Sequence, residues 1–558
     1  MHQVLQNVRS GKLEVRDIPA PMVCDGEVLI ANRVSIISAG TEKMVLDLSR
    51  KSLLGKARER PDHVKRVLEK LRNEGIRQTL QQVREKLDSP MPMGYSSAGV
   101  VLACGRGVQE FKPGDRVASN GAHAEIVSVP KLLCGLVPEN VPFDQAAFGV
   151  LGAIAMQGVR LAKVSLGETA FVIGLGLVGQ LTVGLLNASG CRVIGVDPDG
   201  SKCELARKMG AEVARPNLSA SDVATLTRGL GADAVLITAS AKSNEPIEQA
   251  AAAVRPKGRV VLVGVVGLEL DRRPFYFKEA EFVVSCSYGP GRYDPDYEER
   301  GRDYPAAWVR WTEQRNIQGV LDLMGSGKLD VAPLLSHRFA IERAENAYQL
   351  IERGDEPFLG IALEYSGSVD AAARIVELRS PSHKSGRIGA GVLGAGNFAR
   401  MVLFPAIERS GEFAPRVLCS AGGISAAHSG RKLEFERATT DEEQVFRDDR
   451  VDAIFSITQH DQHAKHVLQA IAARKPVFVE KPLCLTTEEL REIEEALHDA
   501  GNRAPLVMVG FNRRFAPAAK IVRDFFAATK EPLTVSVRFN AGNFPRELWT
   551  QDDEAGGG

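Results

Sequence analysis

The chain has no surplus of charge of either sign: 70 Lys and Arg face 70 Asp and Glu in 558 residues. Nucleic acid as the main partner would favour a clear basic excess, so that class is set aside. A long hydrophobic run is also missing. No stretch approaches the roughly 18 apolar residues of a membrane span. The N-terminus, MHQVLQNVRSGKLEVRDIP, lacks the apolar region of a secretory signal. Cysteine is sparse and scattered, at Cys24, Cys104, Cys134, Cys191, Cys203, Cys286, Cys419 and Cys484. None forms a C-x-x-C pair, which argues against a disulfide framework or a structural zinc knot and fits a reducing cytoplasm.

The length asks for three or four folding units at about 100–200 residues each. Residues 1–40 read as short strands, KLEVRDIP and EVLIANRVSII. From Lys43 to about Leu87 the pattern changes. Val64, Val67, Leu68, Leu71, Leu80, Val83 and Leu87 recur at near-helical spacing and predict a pair of helices. Between Arg50 and Lys86 this insert is rich in Lys and Arg, either as a solvated face or as a docking surface for an anionic substrate or acidic partner. Strand signals resume at AGVVLAC, DRVASN and AEIVSVP. From about Gly149 the short β-branched runs FVIG, CRVIGV, AVLIT and RVVLVG alternate with helical segments, the signature of a parallel sheet with crossover helices. VDAAARIVELRSPSHKSG reads as a helix running into a polar linker. A second α/β series, RIGAGVLG, RVLCSA, VDAIFSIT and PVFVEKP, starts at Arg387 and ends near Ala504. LVMVGF and LTVSVRF follow as candidate strands of a separate sheet.

Two glycine loops carry the chemistry. Gly174-Leu175-Gly176-Leu177-Val178-Gly179 follows the strand TAFVI and opens the helix VGQLTVGLLNA. The first glycine permits a tight turn, the second lets a pyrophosphate approach the backbone, and the third lets helix and strand pack closely. The next strand, CRVIGV, ends at Asp197. A carboxylate there can accept hydrogen bonds from ribose hydroxyls and repels a 2′-phosphate, so NAD is favoured over NADP at this site. The second loop, Gly394-Ala395-Gly396-Asn397-Phe398-Ala399, lies between IGAGVL and FARMVLFPAIE. Its second strand ends at Ser420 without an acid, which leaves NAD versus NADP open. The expectation is two sites for NAD or NADP in one chain.

The ordered motifs GEVLIANRVSIISAGTE, GYSSAGVV, FKPGDRV and GLGLVG resemble the medium-chain, alcohol-dehydrogenase-like family over roughly residues 1–365. The resemblance departs where that family holds catalytic zinc. Its C-G-T-D aligns with Ala39-Gly40-Thr41-Glu42 and its G-H-E with Gly94-Tyr95-Ser96. VLGAIAMQ, where another ligand would lie, has no Cys or His. This implies a zinc-free module, like the quinone-reductase branch, in which Tyr95 and Thr41 are the candidate catalytic donors. The motifs GVLGAGNFA, ITQHDQHAKHVLQAI, KPVFVEKPL and VGFNRRFAP resemble the Gfo/Idh/MocA oxidoreductase family. That likeness implies a catalytic-site lysine at Lys481, within Glu480-Lys481-Pro482, and cofactor contacts from Thr458, His463, Glu480 and Lys481.

The tandem resembles a group of bacterial bi-domain oxidoreductases, which implies a place in surface-polysaccharide or sugar-nucleotide pathways. The expected α/β architecture is a GroES-like domain over 1–148 with the helical insert at about 43–88, then a Rossmann domain over 149–290. A return segment 291–365, a linker 366–386, a second Rossmann domain 387–504 and the start of an incomplete α/β domain at 505–558 follow. The ending AGGG resembles the point where the family continues into a downstream segment, so a truncated form is expected. The expected activity is NAD(P)-dependent oxidoreduction of a carbohydrate-like hydroxyl or ketone (sugar, polyol or nucleotide sugar). Paired modules epimerising a sugar, and a dinucleotide-bound sensor or scaffold, are the alternatives. A cytoplasmic homo-oligomer with a small-molecule substrate completes the expectation.

Overall fold

The computed structural model describes residues 1–50, 88–367, 373–380, 386–538 and 556. Of the helical insert expected at about 43–88, residues 51–87 lie outside the described residues; its beginning falls in the helix Ala39–Arg50. The chain forms two units, Met1–Asp17 with Met22–Ala371, and Ile18–Pro21 with Ala372–Gly558.

The first unit opens with β structure. The long strand Glu27–Ile37 is buried along almost its whole length, as expected for the unbroken apolar run EVLIANRVSII at a sheet centre. It pairs antiparallel with Ser97–Cys104 on one side and with Gly360–Glu364 on the other, while Ile126–Pro130 also joins it. The chain therefore returns to its first sheet after crossing the nucleotide fold. That fold is a six-stranded parallel sheet. In chain order its strands are Thr169–Ile173, Arg192–Val196, Val213–Arg215, Ala232–Ile237, Val254–Leu262 and Glu281–Val284, and in space they run 3-2-1-4-5-6. Thr169–Ile173 is wholly buried because helices cover both faces of such a sheet.

The second unit repeats the order. Ile388–Leu393, Phe413–Cys419, Arg437–Thr439, Ala453–Ser456, Val477–Val479 and Val507–Val509 again run 3-2-1-4-5-6. Two expectations are corrected here. Val507–Val509, taken from sequence as the start of a separate sheet, pairs parallel with Val477–Val479 and completes the nucleotide sheet. The stretch read as a helix contributes an edge strand, Ile375–Glu377, antiparallel to Arg437–Thr439. Strand pairing there overrides the local helical pattern, since a β-branched run beside an open edge gains a full ladder. Leu533–Arg538, the second candidate strand, forms no ladder among the described residues. A strand exists only by pairing, and alternation of apolar residues does not supply the partner. No helix of the described residues is long and apolar enough to cross a membrane.

Candidate functional site

The first glycine loop has the three geometries its motif needs. Gly174 sits at φ +92°, and a Cβ there would lie 2.6 Å from the Ala239 nitrogen. At Gly176 a Cβ would meet nothing within 4 Å, so the backbone faces open space. A Cβ on Gly179 would lie 2.1 Å from the Gly174 carbonyl oxygen, so only glycine allows this helix to start so close to the turn. The helix Leu177–Ala188 then directs its first N–H groups at that space. Leu175 is fully buried and packs under the loop, while Leu177 and Val178 pack against the core. Asp197 lies at the end of the second strand. One carboxylate oxygen accepts the Leu175 N–H at 2.8 Å, the other accepts the Asp199 N–H at 3.0 Å, and Lys202 Nζ stands 3.7 Å away. The acid is thus tied to the glycine loop itself.

The two hydroxyls singled out from sequence, 54 positions apart, come together: Tyr95 O–H donates to Thr41 Oγ1 at 3.3 Å, and Ser38 O–H reaches the same oxygen at 3.5 Å. Burial raises the Tyr95 phenol above its ordinary range, against the opposing effect of its hydrogen bonds with Ser38 and Thr41. Ser96, next in the chain, is buried and donates to the Ala147 carbonyl at 2.7 Å. Ala147 leads into the helix Gly149–Ala162, which packs against the helix of the glycine loop. Sequence reasoning missed the layer beneath. Glu42, 3% exposed, accepts the Ser38 N–H at 2.9 Å and the Tyr348 O–H, and faces His123 Nε2 at 3.3 Å. His123 is fully buried, with Nδ1 2.7 Å from Ser35 Oγ, itself 2.6 Å from the Tyr365 hydroxyl. The only hint in sequence was that Glu42 follows Thr41 in the aligned motif.

Zinc needs Cys, His or carboxylate ligands in a tetrahedral set. The aligned positions offer the Ala39 methyl, the Tyr95 phenol and the Ser96 hydroxyl, the last already committed to Ala147. This donor set does not fit the metal. Among the described residues, a group of three possible ligands occurs at His2, Glu125 and Glu342, none of them an aligned position.

In the second unit Gly394 sits at φ +103°, where a Cβ would lie 2.4 Å from the Ile457 carbonyl oxygen and 3.2 Å from the Thr458 nitrogen. Thr458 therefore borders the turn. At Gly396 a Cβ would meet nothing within 4 Å, which again leaves open space. Ala395 and Ala399 are buried, whereas Asn397 and Phe398 are exposed, with Asn397 Oδ1 accepting from Arg400 Nη2 at 2.9 Å. The helix opens with a π turn, Ala399–Leu403. His463 is fully buried and its Nδ1 donates to the Pro482 carbonyl at 2.6 Å. Burial lowers its pKa and leaves Nε2 without a partner among the described atoms. It thereby clamps the loop of Glu480, Lys481 and Pro482 to the sheet end. Burial raises the Glu480 carboxyl, which lies against Gly510, and Lys481 is exposed.

Two family descriptions match the chain: "Zinc-binding dehydrogenase" over residues 178–300 and "Oxidoreductase family, NAD-binding Rossmann fold" over 388–511. The first stretch covers nucleotide-fold residues and includes none of the aligned zinc positions. Curated relatives match about half of the chain. D-guloside 3-dehydrogenase of Escherichia coli K12 is 26% identical over 288 residues, 49% of this chain and 77% of that protein. D-xylulose reductase of Morganella morganii is 29% identical over 309 residues, 49% of this chain and 82% of that protein. Among solved structures, galactitol-1-phosphate dehydrogenase from Escherichia coli shares the fold, with a TM-score of 0.50 and 20% identity over 65% of this chain and 100% of that one. The chain therefore joins an alcohol-dehydrogenase-like module to a Rossmann module of the Gfo/Idh/MocA oxidoreductase type.

Proposed function

We propose that the first unit is a dehydrogenase that moves hydride between a nicotinamide nucleotide and a carbohydrate-like hydroxyl or ketone, without a catalytic zinc. The observation that carries this reading is the Tyr95–Thr41 hydroxyl pair, in which Tyr95 stands at an aligned metal-ligand position and Thr41 lies two residues from another, Ala39. The dinucleotide, held by Gly174–Gly179 and Asp197, supplies the hydride acceptor or donor when bound. The protein's own part is orientation and proton handling. With its pKa raised by burial, Tyr95 keeps its proton at neutral pH and turns it from Thr41 toward a substrate carbonyl oxygen during reduction. Thr41 then donates a hydrogen bond to the phenolate left behind, which regains its proton from solvent. In the oxidative direction the base is the Tyr95 phenolate, held by the Thr41 hydroxyl: it takes the hydroxyl proton as hydride leaves the carbon, and the pair is then neutral again.

The substrate class rests on the relatives, D-guloside 3-dehydrogenase and D-xylulose reductase, whose substrates are a guloside and xylulose. A role in polysaccharide biosynthesis and a homo-oligomeric cytoplasmic form belong to the same proposal. In the second unit Lys481 is proposed as the catalytic-site cation beside Glu480. Both glycine loops keep open space at their second glycine, which favours a second reading: one unit oxidises and the other reduces, giving net epimerisation.

The test is a screen of free sugars, polyols and nucleotide sugars, following NAD(P)H absorbance together with product stereochemistry. Net NAD(P)H formation that collapses in Tyr95→Phe supports the dehydrogenase. Inverted product without net NAD(P)H supports epimerisation. Turnover that survives both Tyr95→Phe and Thr41→Val would sink the hydroxyl-pair reading.

A further inference from the structure

The Tyr95–Thr41 pair is assembled from two distant segments, and both of them rest on one buried pair of side chains. Thr41 and Glu42 share the first turn of the helix Ala39–Arg50. Glu42 reaches back to the Ser38 N–H at 2.9 Å, which locks the helix start, and its second oxygen takes the Tyr348 O–H. The orientation of that turn, and with it Thr41, follows from where the Glu42 carboxylate is held.

The other segment is held by His123. Gly94, the residue before Tyr95, lies flat on the imidazole: at φ +85°, a Cβ there would lie 2.5 Å from three ring atoms. The His123 backbone N–H donates to the Met93 carbonyl at 2.7 Å. The Tyr95 backbone is therefore seated on His123 as Thr41 is seated beside Glu42. The two seats meet where Glu42 Oε2 faces His123 Nε2 at 3.3 Å.

The pair is itself braced. Ser35 holds the far ring nitrogen of His123 and is held by Tyr365, while Asn32 Nδ2 donates to the carbonyls of Ala122 and Ala124 on either side of the histidine at 3.3 and 2.7 Å. Glu42, His123, Ser35, Tyr348 and Tyr365 are all between 0 and 7% exposed. Groups so enclosed do not touch substrate; Ser35 and Tyr348 hydrogen-bond the two members, while Glu42 and His123 Nε2 meet by close approach rather than by an aligned hydrogen bond.

We propose that Glu42 and His123 form a buried positioning pair that fixes the Thr41 and Tyr95 hydroxyls at the place where the aligned residues no longer offer zinc ligands. The role of a metal in holding two chain segments at a defined separation passes to a carboxylate and an imidazole one layer deeper. This rests on the dehydrogenase reading only for its kinetic consequence, because the positioning itself has a direct readout.

That readout is fluorine NMR of the full chain labelled with 3-fluorotyrosine, which has eight tyrosines, with Tyr95→Phe identifying the Tyr95 signal. Glu42→Gln keeps the shape and removes the carboxylate. Tyr348→Phe removes one donor to Glu42 and keeps the ring, and it decides the matter if Glu42→Gln does not fold. The Tyr95 signal is expected to shift or broaden in each variant, while those of exposed Tyr276 and Tyr293 stay in place. In kinetics, kcat should fall by about 10–100-fold with KM changed by less than about 3-fold, because the loss is in alignment rather than in substrate contact. A Tyr95 signal unmoved in the folded variants overturns the proposal, whether or not the protein turns over sugars. A signal that moves in a protein without any sugar-dependent turnover supports the positioning pair and removes the dehydrogenase reading instead.

Discussion

Both units order their parallel strands 3-2-1-4-5-6 around a glycine loop, yet they secure the groups proposed to react by different means. In the first, the Tyr95–Thr41 pair is placed by a buried network whose members lie as far apart in sequence as Glu42 and Tyr348. In the second, Lys481 sits on a loop clamped locally by His463 against Pro482, 19 positions on. The loops also close differently. Gly179 has no room for a methyl, whereas Ala399 carries one at the start of a π turn. The same strand order thus constrains where nucleotide-facing groups lie but not how the chemistry around them is anchored.

The sharpest way to break this comparison is at the hydroxyls. Tyr95→Phe and Thr41→Val are each expected to lower kcat of the first unit by about 10²–10⁴-fold, the usual worth of a positioned acid–base group. Dinucleotide affinity, measured by fluorescence titration, should hardly change.

Next come the loop closures. Gly179→Ala forces a Cβ to within 2.1 Å of a backbone oxygen. Such overpacking costs about 1–3 kcal/mol and should weaken dinucleotide binding at the first loop by about 10–100-fold. Ala399→Gly in the second unit should cost no more than about 1 kcal/mol, as an ordinary helix substitution. Equal losses in calorimetric titration would remove the distinction between the loops.

Two carboxyls, one half-buried and one fully buried, sharpen the contrast through pH. In the second unit Glu442 is held down to about 2 by the hydrogen bond from His466 Nε2 at 2.9 Å, with Lys465 adding to it against the cost of burial. A depressed folded pKa gives stability that is present above the unfolded value and lost as pH falls from about 4.5 toward 2. In the first unit Glu313 is fully buried, both its oxygens lack a partner among the described atoms, and burial with nearby Glu298 raises it to about 8 against Arg292. A raised folded pKa gives the opposite sign: stability is full below about 4.5 and is lost as pH rises through 8. Glu442→Gln should therefore destabilise by about 1–3 kcal/mol at pH 7 and by little near pH 2. Glu313→Gln should leave Tm unchanged at pH 5 and raise it at pH 9. Parallel pH profiles for the two variants would refute this assignment.

At the ribose end, Asp197→Ala should narrow the NAD over NADP preference of the first loop by about 10-fold, on the scale of one charged hydrogen bond. Because Asp197 also accepts the Leu175 N–H, a small loss of loop order should accompany it, visible as faster amide exchange at Leu175. The smallest expected effect is that of chelation. Dialysis against EDTA should leave the first unit's activity unchanged, and elemental analysis should find no stoichiometric zinc. One zinc per chain would contradict the reading of Ala39, Tyr95 and Ser96.

Much of this was legible in order. The glycine motifs, each following a β-branched run and preceding a helix, determine a turn, a gap and a close packing, because those demands are local to a few residues. The replacement of metal-ligand positions by Ala39, Tyr95 and Ser96, with Thr41 beside them, could likewise be read along the chain. The edge strand Ile375–Glu377 and the sixth parallel strand Val507–Val509 could not, since a strand is defined by a partner that local pattern does not name. Nor could the Glu42–His123 pair, whose members are 81 positions apart and share no periodicity. Sequence by itself determined which chemical groups are available and where dinucleotides can approach the backbone. Only the tertiary structure decided which acids are buried, which are paired and which hydroxyls meet, because burial and pairing arise from long-range packing that brings distant side chains out of water together.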